Sequence, residues 1–267
     1  MDKVPPQHMF LDLSDYARPV ARWLVAHLPP FVTPIHLTLA FTLVGAVAAL
    51  LFAFDRWLPV AGLLLLVKNT LDAADGSLAR VRGRPSRVGR FLDSICDFLV
   101  TGMVFSGIAL GVQRRTGLDT WWLTGFAILA IASATLQCSV FNYYYVRYRA
   151  KTGGDSTSQV QESGMGYAWD NPRLLSILYY LYRILYSWQD GLMAELDRRL
   201  APQADVSPKF MTATSVFGLG TQLLVIALCA AFGQPALALG LFVTIFNLYW
   251  LLLLGARAYA AHVSQAI

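Results

Sequence analysis

The chain has 267 residues, 56% hydrophobic and 14% charged, with a mean hydropathy of +0.51 and a net charge of +5. A soluble domain of this length carries more charge, and several apolar runs reach about 20 residues, enough to cross a hydrocarbon core of roughly 30 Å. A soluble globular protein is excluded, and an all-α polytopic membrane protein is expected.

In chain order, residues 1–30 read as an N-terminal interfacial segment. They lack the charged n-region, apolar h-region and small-residue cleavage site of a signal peptide. Within them Leu11–Leu28 carries Trp23, Leu24, Val25 and Leu28 beside Asp15, Arg18 and Arg22, as a helix lying at the membrane surface does. Residues 31–267 read as one six-helix domain. Its spans are expected at Ile35–Phe54, Trp57–Asp75, Phe91–Val112, Trp121–Tyr145, Thr212–Phe232 and Ala236–Leu254, with Lys68, Asp72 and Asp75 interrupting the last turns of the second. The stretch TGGDSTSQVQESGMGYAWDN, from Thr152 to Asn171, is polar and Gly/Ser-rich and reads as a loop. Pro172–Leu200 is an amphipathic insertion: Leu174, Leu178, Leu181, Leu185, Trp188, Leu192 and Leu196 recur every three or four residues. Arg183, Asp190 and Asp197 lie on another stripe. It reads as interfacial rather than spanning, either a packing helix or lid on the cytoplasmic face or a segment with a substrate-specific role.

Six spans place both termini on one side. Of 21 Lys and Arg residues, 17 fall on that side, Arg56, Arg114 and Arg115 fall opposite, and Lys68 lies within a span. By the positive-inside rule the basic side is cytoplasmic. Topology and attraction to anionic lipid account for this charge without nucleic acid. Cys96, Cys138 and Cys229 are far apart in apolar runs and read as buried free thiols. The four scattered histidines argue against a His-based metal site.

Between two strongly apolar runs stands DAADGSLARVRGRPSRVGRFLDSICD, residues 72–97, with four aspartates and five arginines. Carboxylates beside hydrocarbon are costly and mark function. Asp72 and Asp75 are three residues apart and Asp93 and Asp97 four apart, so on helices each pair shares a face. A short turn between the helices brings all four together, where they repel unless a cation neutralises them. An oxygen-only set suits hard ions such as Mg²⁺, Mn²⁺ or Ca²⁺, and four carboxylates can bridge a pair. Gly76 and Ala79 leave one helix face bare for a bulky group, and Gly89, four residues before Asp93, opens the facing one. Arg80, one turn beyond Gly76, suits a diphosphate, and Ser86 offers a hydroxyl. The carboxylates alone leave an ion or proton pathway open. The bare faces beside Arg80 argue against it. Lys68, one turn before Asp72, reads as its ion-pair partner or as a substrate contact.

This pattern, Asp72-x2-Asp75-Gly76-x2-Ala79-Arg80-x8-Gly89-x3-Asp93-x3-Asp97, resembles the signature of the CDP-alcohol phosphotransferases, with no departure. Pro34-Ile35-His36-Leu37-Thr38 is similar to the family's Pro-Asn-x-Leu-Thr stretch, with Ile35 in place of Asn. The resemblance implies a six-span fold and a reaction in which a CDP-linked alcohol gives its phosphoryl-alcohol part to an acceptor hydroxyl, releasing CMP. It implies that Asp72, Asp75, Asp93 and Asp97 bind two metal ions, Mg²⁺ or else Mn²⁺, and that Asp97 is also the base. Pro34, Ile35, His36, Leu37, Thr38, Gly76, Ala79, Arg80, Ser86 and Gly89 would form the nucleotide site. It also implies a homodimer.

Val146-Arg147-Tyr148-Arg149-Ala150-Lys151 resembles a Lys-Ala-Arg-Ala stretch found in several family members that use CDP-diacylglycerol. Arg147, Arg149 and Lys151 are therefore candidate contacts for a phosphate on a small acceptor, or else juxtamembrane charges that fix topology. The expected reaction moves a phosphatidyl group from CDP-diacylglycerol to a small polar alcohol, phosphorylated or not. The alternatives are transfer of a small phospho-alcohol from its CDP derivative to diacylglycerol, and a non-catalytic lipid- or cation-binding protein. The site would face the cytoplasm from the cell membrane.

Overall fold

Five helices start at a side chain that accepts a hydrogen bond from the first turn. Thr33 accepts from His36 N at 3.4 Å, Ser86 from Gly89 N at 3.0 Å, Asp119 from Trp121 N at 2.7 Å, Asn171 from Arg173 N at 3.0 Å and Ser207 from Phe210 N at 3.2 Å. Such caps satisfy amide groups that have no partner inside the helix. The computed structural model describes residues 4–154, 164–201 and 205–265, and among them there is no strand. The helices are α1 (Arg18–His27), α2 (Pro34–Ala53), α3 (Leu58–Val81), α4 (Arg87–Thr116), α5 (Thr120–Thr152), α6 (Pro172–Tyr182), α7 (Trp188–Leu200), α8 (Pro208–Thr214), α9 (Leu219–Ala231), α10 (Ala236–Leu241) and α11 (Asn247–Gln265). A π turn at Arg183–Ser187 joins α6 to α7, and another at Phe242–Phe246 joins α10 to α11.

The interior is built by α2, α3, α4, α5, α9 and α10 around Phe52, Leu65, Val104, Phe105, Ile108, Ile226 and Phe242. Gly107 and Gly111 on α4 lie against the Ala49 and Phe52 carbonyls of α2, where any side chain would collide with backbone. This close approach sets the α2–α4 pair that frames the site. Leu43, Leu63, Leu129, Leu251 and Leu252 point outward and are exposed, as lipid-facing side chains are. Trp57, Trp121, Trp122 and Phe232 cluster by topology at the bundle end far from the aspartates and are also exposed. That placement suits an aromatic belt.

Among the described residues, four helical segments are long and apolar enough to span: Pro34–Ala53, Arg87–Thr116, Thr120–Thr152 and Ala236–His262. A fifth is broken, Pro208–Phe217 and Leu219–Ala231 meeting at 46°. At that break the N-terminal segment crosses the bundle. Leu13 N donates to Ser215 Oγ at 3.0 Å, and Gly220 faces the Ser14 carbonyl with no room for a side chain. The remaining candidate, α3, is a continuous helix of 24 residues, and Lys68, Asp72 and Asp75 set it apart in composition from the other five.

Two expected helices differ in detail. The helix expected over Leu11–Leu28 runs only from Arg18 to His27. Ahead of it Asp12 accepts from Ser14 N at 3.0 Å and Arg18 pairs with Asp15, because short polar side chains hold turns there instead. The 172–200 segment is helical, and its apolar stripe is divided between the inner and the outer face. Leu174, Leu181, Trp188 and Leu192 are exposed, whereas Asp197 is only 3% exposed. Leu175, Leu178 and Tyr182 turn inward against Val88, Phe91 and Ile95 of α4. The cysteines are free, as expected, with Cys96 buried and Cys138 and Cys229 half-buried.

Candidate active site

A cavity of about 570 Å³ opens where α3 ends and α4 begins. Its walls come from the first turn of α2, residues 69–80 of α3, the first half of α4, the second half of α5 and the start of α9. Tyr182 and Tyr186 close one side, and Asp12–Arg18 of the N-terminal segment close another.

The α3–α4 connection is only Arg82 to Ser86, so the carboxylates of the two helices meet across the turn. Asp72, Asp75 and Asp93 each bring one oxygen to within 4.8 Å of the others. Asp75 is held from α2, where Thr38 Oγ1 donates to its Oδ2 at 2.8 Å. Asp93 Oδ1 is buried and has no hydrogen-bond partner among the described residues. Three converging carboxylates with an unpartnered buried oxygen suit a hard divalent cation. Asp97, expected as a fourth ligand, lines the cavity but stands outside that triad. Its Oδ1 instead accepts from Lys68 Nζ, which also donates to Asp72 Oδ2 at 2.7 Å. Lys68 is 1% exposed, and its ammonium lies 4.4 Å from the centroid of the Phe41 ring.

The expected nucleotide residues divide by helix face. Pro34, Ile35, Thr38, Gly76, Ala79, Arg80, Ser86 and Gly89 all line the cavity. His36 and Leu37 do not. The first caps α2, its Nδ1 accepting from Thr33 N at 3.1 Å, and the second is buried with Ala21, Val25, Ala74 and Leu78. A methyl group added at Gly76 would approach only the Arg80 guanidinium, at 3.4 Å, and one at Gly89 only Ser86, at 3.6 Å. Both glycines therefore leave open room in front of the carboxylates.

Ser86 is more engaged than a free hydroxyl contact. It caps α4 and donates to Asp170 Oδ1 at 2.5 Å, while Asp170 Oδ2 accepts from Arg87 N and Tyr167 N at 3.0 Å. Trp169 adds an indole bond to Pro85 O at 2.8 Å and stacks on Tyr167 with ring centroids 5.4 Å apart. Burial pushes the Asp170 carboxyl up, but the Ser86 hydroxyl and the amides of Tyr167, Arg87 and Val88 outweigh it and hold the group below the ordinary value. Nothing in the sequence singled out Asp170 beyond its place in a polar loop.

Of the three candidate acceptor contacts, Arg149 alone lines the cavity. It is 3% exposed, with its guanidinium 4.8 Å from the Tyr145 ring centroid. Arg147 pairs with Asp197 of α7 and donates to Tyr143 Oη at 3.2 Å, and Lys151 pairs with Asp205 at the surface. Residues two apart on a helix face opposite ways, so the three cannot converge. Tyr182, Tyr186, Asn69 and Gln222 line the cavity without having been singled out. Their signal, a polar or aromatic residue in an apolar run, is too common to point to a site.

The family model for CDP-alcohol phosphatidyltransferases matches residues 27–263. The chain is 34% identical over 119 residues to an archaetidylinositol phosphate synthase of Pyrococcus horikoshii, covering 43% of this chain and 56% of that protein. It is 32% identical over 161 residues to a phosphatidylinositol phosphate synthase of Mycobacterium marinum, covering 58% and 61%. A cholinephosphotransferase 1 of Gallus gallus is 31% identical over 121 residues, covering 42% and 36%. The chain thus spans about half the length of the curated relatives it matches. The crystal structure of Mycobacterium tuberculosis phosphatidylinositol phosphate synthase with CDP-DAG bound aligns with 67% of this chain and 92% of that one, at 21% identity and a TM-score of 0.39.

Proposed function

Because the chain belongs to the CDP-alcohol phosphatidyltransferase family, we propose that it moves a phosphatidyl group from CDP-diacylglycerol to the hydroxyl of a small polar alcohol, with release of CMP. The observation that carries this reading is the Asp72–Asp75–Asp93 triad facing the open Gly76 and Gly89 surfaces in one cavity. Arg149, buried in the same cavity, supports an acceptor that carries its own phosphate. So do the inositol phosphate lipid synthases among the relatives.

The chain's residues divide the work. Gly76 and Gly89 admit the cytidine diphosphate against the helix backbones, and Arg80, one turn on from Gly76, faces its phosphates. Asp72, Asp75 and Asp93 would hold a divalent ion, Mg²⁺ or Mn²⁺, whose chemistry is to neutralise the diphosphate and polarise the phosphorus under attack. The acceptor oxygen forms a bond to the phosphorus that bears diacylglycerol. The bond from that phosphorus to the bridging oxygen breaks, and CMP leaves with the electron pair. The acceptor's proton passes to the Asp97 carboxylate, whose other oxygen Lys68 holds in place. The basic end of the bundle, with 17 of 21 cationic side chains, supports a cytoplasmic site in a multi-pass membrane protein.

The test is a panel of donor and acceptor pairs given to detergent-purified protein with Mg²⁺, read as CMP and lipid product. Product from CDP-diacylglycerol and one small alcohol is expected. Release only when diacylglycerol accepts from CDP-choline or CDP-ethanolamine would exchange the roles of the substrates. Tight CDP binding with no release from any pair would make the protein a non-catalytic binder.

A further inference from the structure

The helical segment 172–200 leans first on α4 and then on α5. In α6, Leu175, Leu178 and Tyr182 pack against Val88, Phe91 and Ile95 of α4. In α7, Gln189 Oε1 accepts from Ser139 Oγ of α5 at 2.6 Å. The π turn at Arg183–Ser187 lies between these contacts, and such turns are frequent at functional sites. Farther from the cavity, α4 and α5 share one core cluster through Val100, Val104, Ala130 and Ala134. Beside the carboxylates Tyr182 and Tyr186, from outside that helix pair, complete the cavity wall. The Tyr182 ring centroid lies 5.0 Å from that of Phe91 and 5.2 Å from that of Tyr186, and Tyr186 lies 6.2 Å from Phe98. The Tyr186 hydroxyl donates to Ser94 O at 2.8 Å. Ser94, Asp97 and Phe98 are near neighbours on α4 and all line the cavity. On its other side the same segment exposes Leu181, Ile184 and Trp188, as lipid-facing segments do.

Resting on the transferase reading of this cavity, we infer that Tyr182 and Tyr186 are specificity-determining residues for the acceptor. Stacked rings with apolar residues behind them close the α4–α5 side of the cavity next to Asp97. An acceptor that presents its hydroxyl to Asp97 therefore has no room on that side for a hydrocarbon tail. The class selected is a chain-free, water-soluble alcohol, and diacylglycerol is refused. The wall is held in place. Swinging Tyr186 aside would give up its bond to Ser94 O and leave a phenol group without a partner. The donor's acyl chains must then leave the cavity on another side.

Two vicinal diols that differ only in chain length, propanediol and dodecanediol, test the wall. Each is given to detergent-purified full-length protein with Mg²⁺ and CDP-diacylglycerol, beside the panel of small alcohols. CMP release is read as kcat/KM for the acceptor. The wild type is expected to prefer the short diol by about 100-fold, within the range that pocket size imposes on apolar groups. Tyr186→Ala, alone and together with Tyr182→Ala, is expected to narrow that preference by about 10-fold or more, through a lower KM for the long diol. Tyr186→Phe keeps the ring and is expected to keep the preference. A purely structural role would lower release with both diols together and leave their ratio unchanged. That result, or a wild type that takes both diols alike, would overturn the inference and leave the transferase reading standing. Should the wild type use neither diol while the panel gives product, new release with the long diol in the alanine variants is expected, and its absence overturns the inference. If the alanine variants do not fold, wild-type release across diols of intermediate length decides, and release that does not fall as the chain lengthens overturns the inference. No release from any donor and acceptor pair, or release only with diacylglycerol as acceptor, would overturn the reading and the inference together.

Discussion

The Thr38 hydroxyl on α2 donates to Asp75 on α3 across 2.8 Å, in surroundings where Thr38 is 2% and Asp75 6% exposed. This bond connects the start of α2 to the carboxylate triad, so it orients a ligand from outside the ligand set. Thr38→Val keeps the shape and removes the donor. Outer partners of this kind typically contribute about 10–100-fold to metal affinity, and a loss in that range is expected in an Mn²⁺ titration. An unchanged affinity would show that Asp75 is held by its own helix alone.

Asp197 on α7 is the hub of a buried polar cluster. It accepts from Arg257 Nε at 2.6 Å and Tyr144 Oη at 2.9 Å, and it pairs with Arg147. Removing one partner of a buried ion pair typically costs about 3–5 kcal/mol. Asp197→Ala is expected to lower the midpoint of thermal unfolding in detergent while leaving Mn²⁺ binding per folded chain unchanged. A variant that melts like the wild type would show that the Asp197 cluster does not brace α7 against α5 and α11.

Asp170 ties residues 164–171 to the start of α4, and its carboxyl is held below the ordinary value when folded. A lowered folded pKa means stabilisation that is complete above the unfolded value, about 3.9, and lost as pH falls through the folded one. Hydrogen exchange at the Arg87 and Tyr167 amides is therefore expected to stay protected from pH 7 down to about pH 4 and to quicken below it. Asp170→Asn is expected to remove that pH dependence and weaken the tie at every pH.

Gly76 faces open cavity, and a methyl group there meets only the mobile end of Arg80 at 3.4 Å. Gly76→Val is thus expected to fold but to fill the space in front of the carboxylates. Displacing a bound substrate by about 1 Å can lower rates by about 100-fold. A fall of at least about 10-fold in kcat/KM, carried by KM for the CDP donor, is expected on the same scale. Unchanged kinetics would move the nucleotide away from this face.

The aspartate pattern was legible because ligand spacing within a helix is local: i,i+3 and i,i+4 place side chains on one face whatever surrounds them. The pairing of α3 with α4 was legible for a similar reason, a five-residue connection between two apolar helices. The partner of Lys68 was only half legible. Asp72 lies one turn away, whereas Asp97 lies 29 residues away and depends on how α3 and α4 dock. Which side chains of 172–200 turn inward was not legible, because an apolar stripe marks the core only where the outside is water. Here Leu181 and Trp188 turn outward, and Asp197 turns inward to Arg257. Asp170 was hidden altogether, since a loop carboxylate gains its role only from where the loop docks.

The most direct test of the account is CMP release by the purified protein given CDP-diacylglycerol, a small phosphorylated alcohol and Mg²⁺, run beside Asp97→Asn. Release is expected to need both the acceptor and the ion. In the variant release should fall by roughly 100-fold or more, as loss of a general base does, while Mn²⁺ still binds, because Asp97 lies outside the triad. Equal release by the two proteins would remove Asp97 from the reaction, and loss of the ion in Asp97→Asn would place it among the ligands instead.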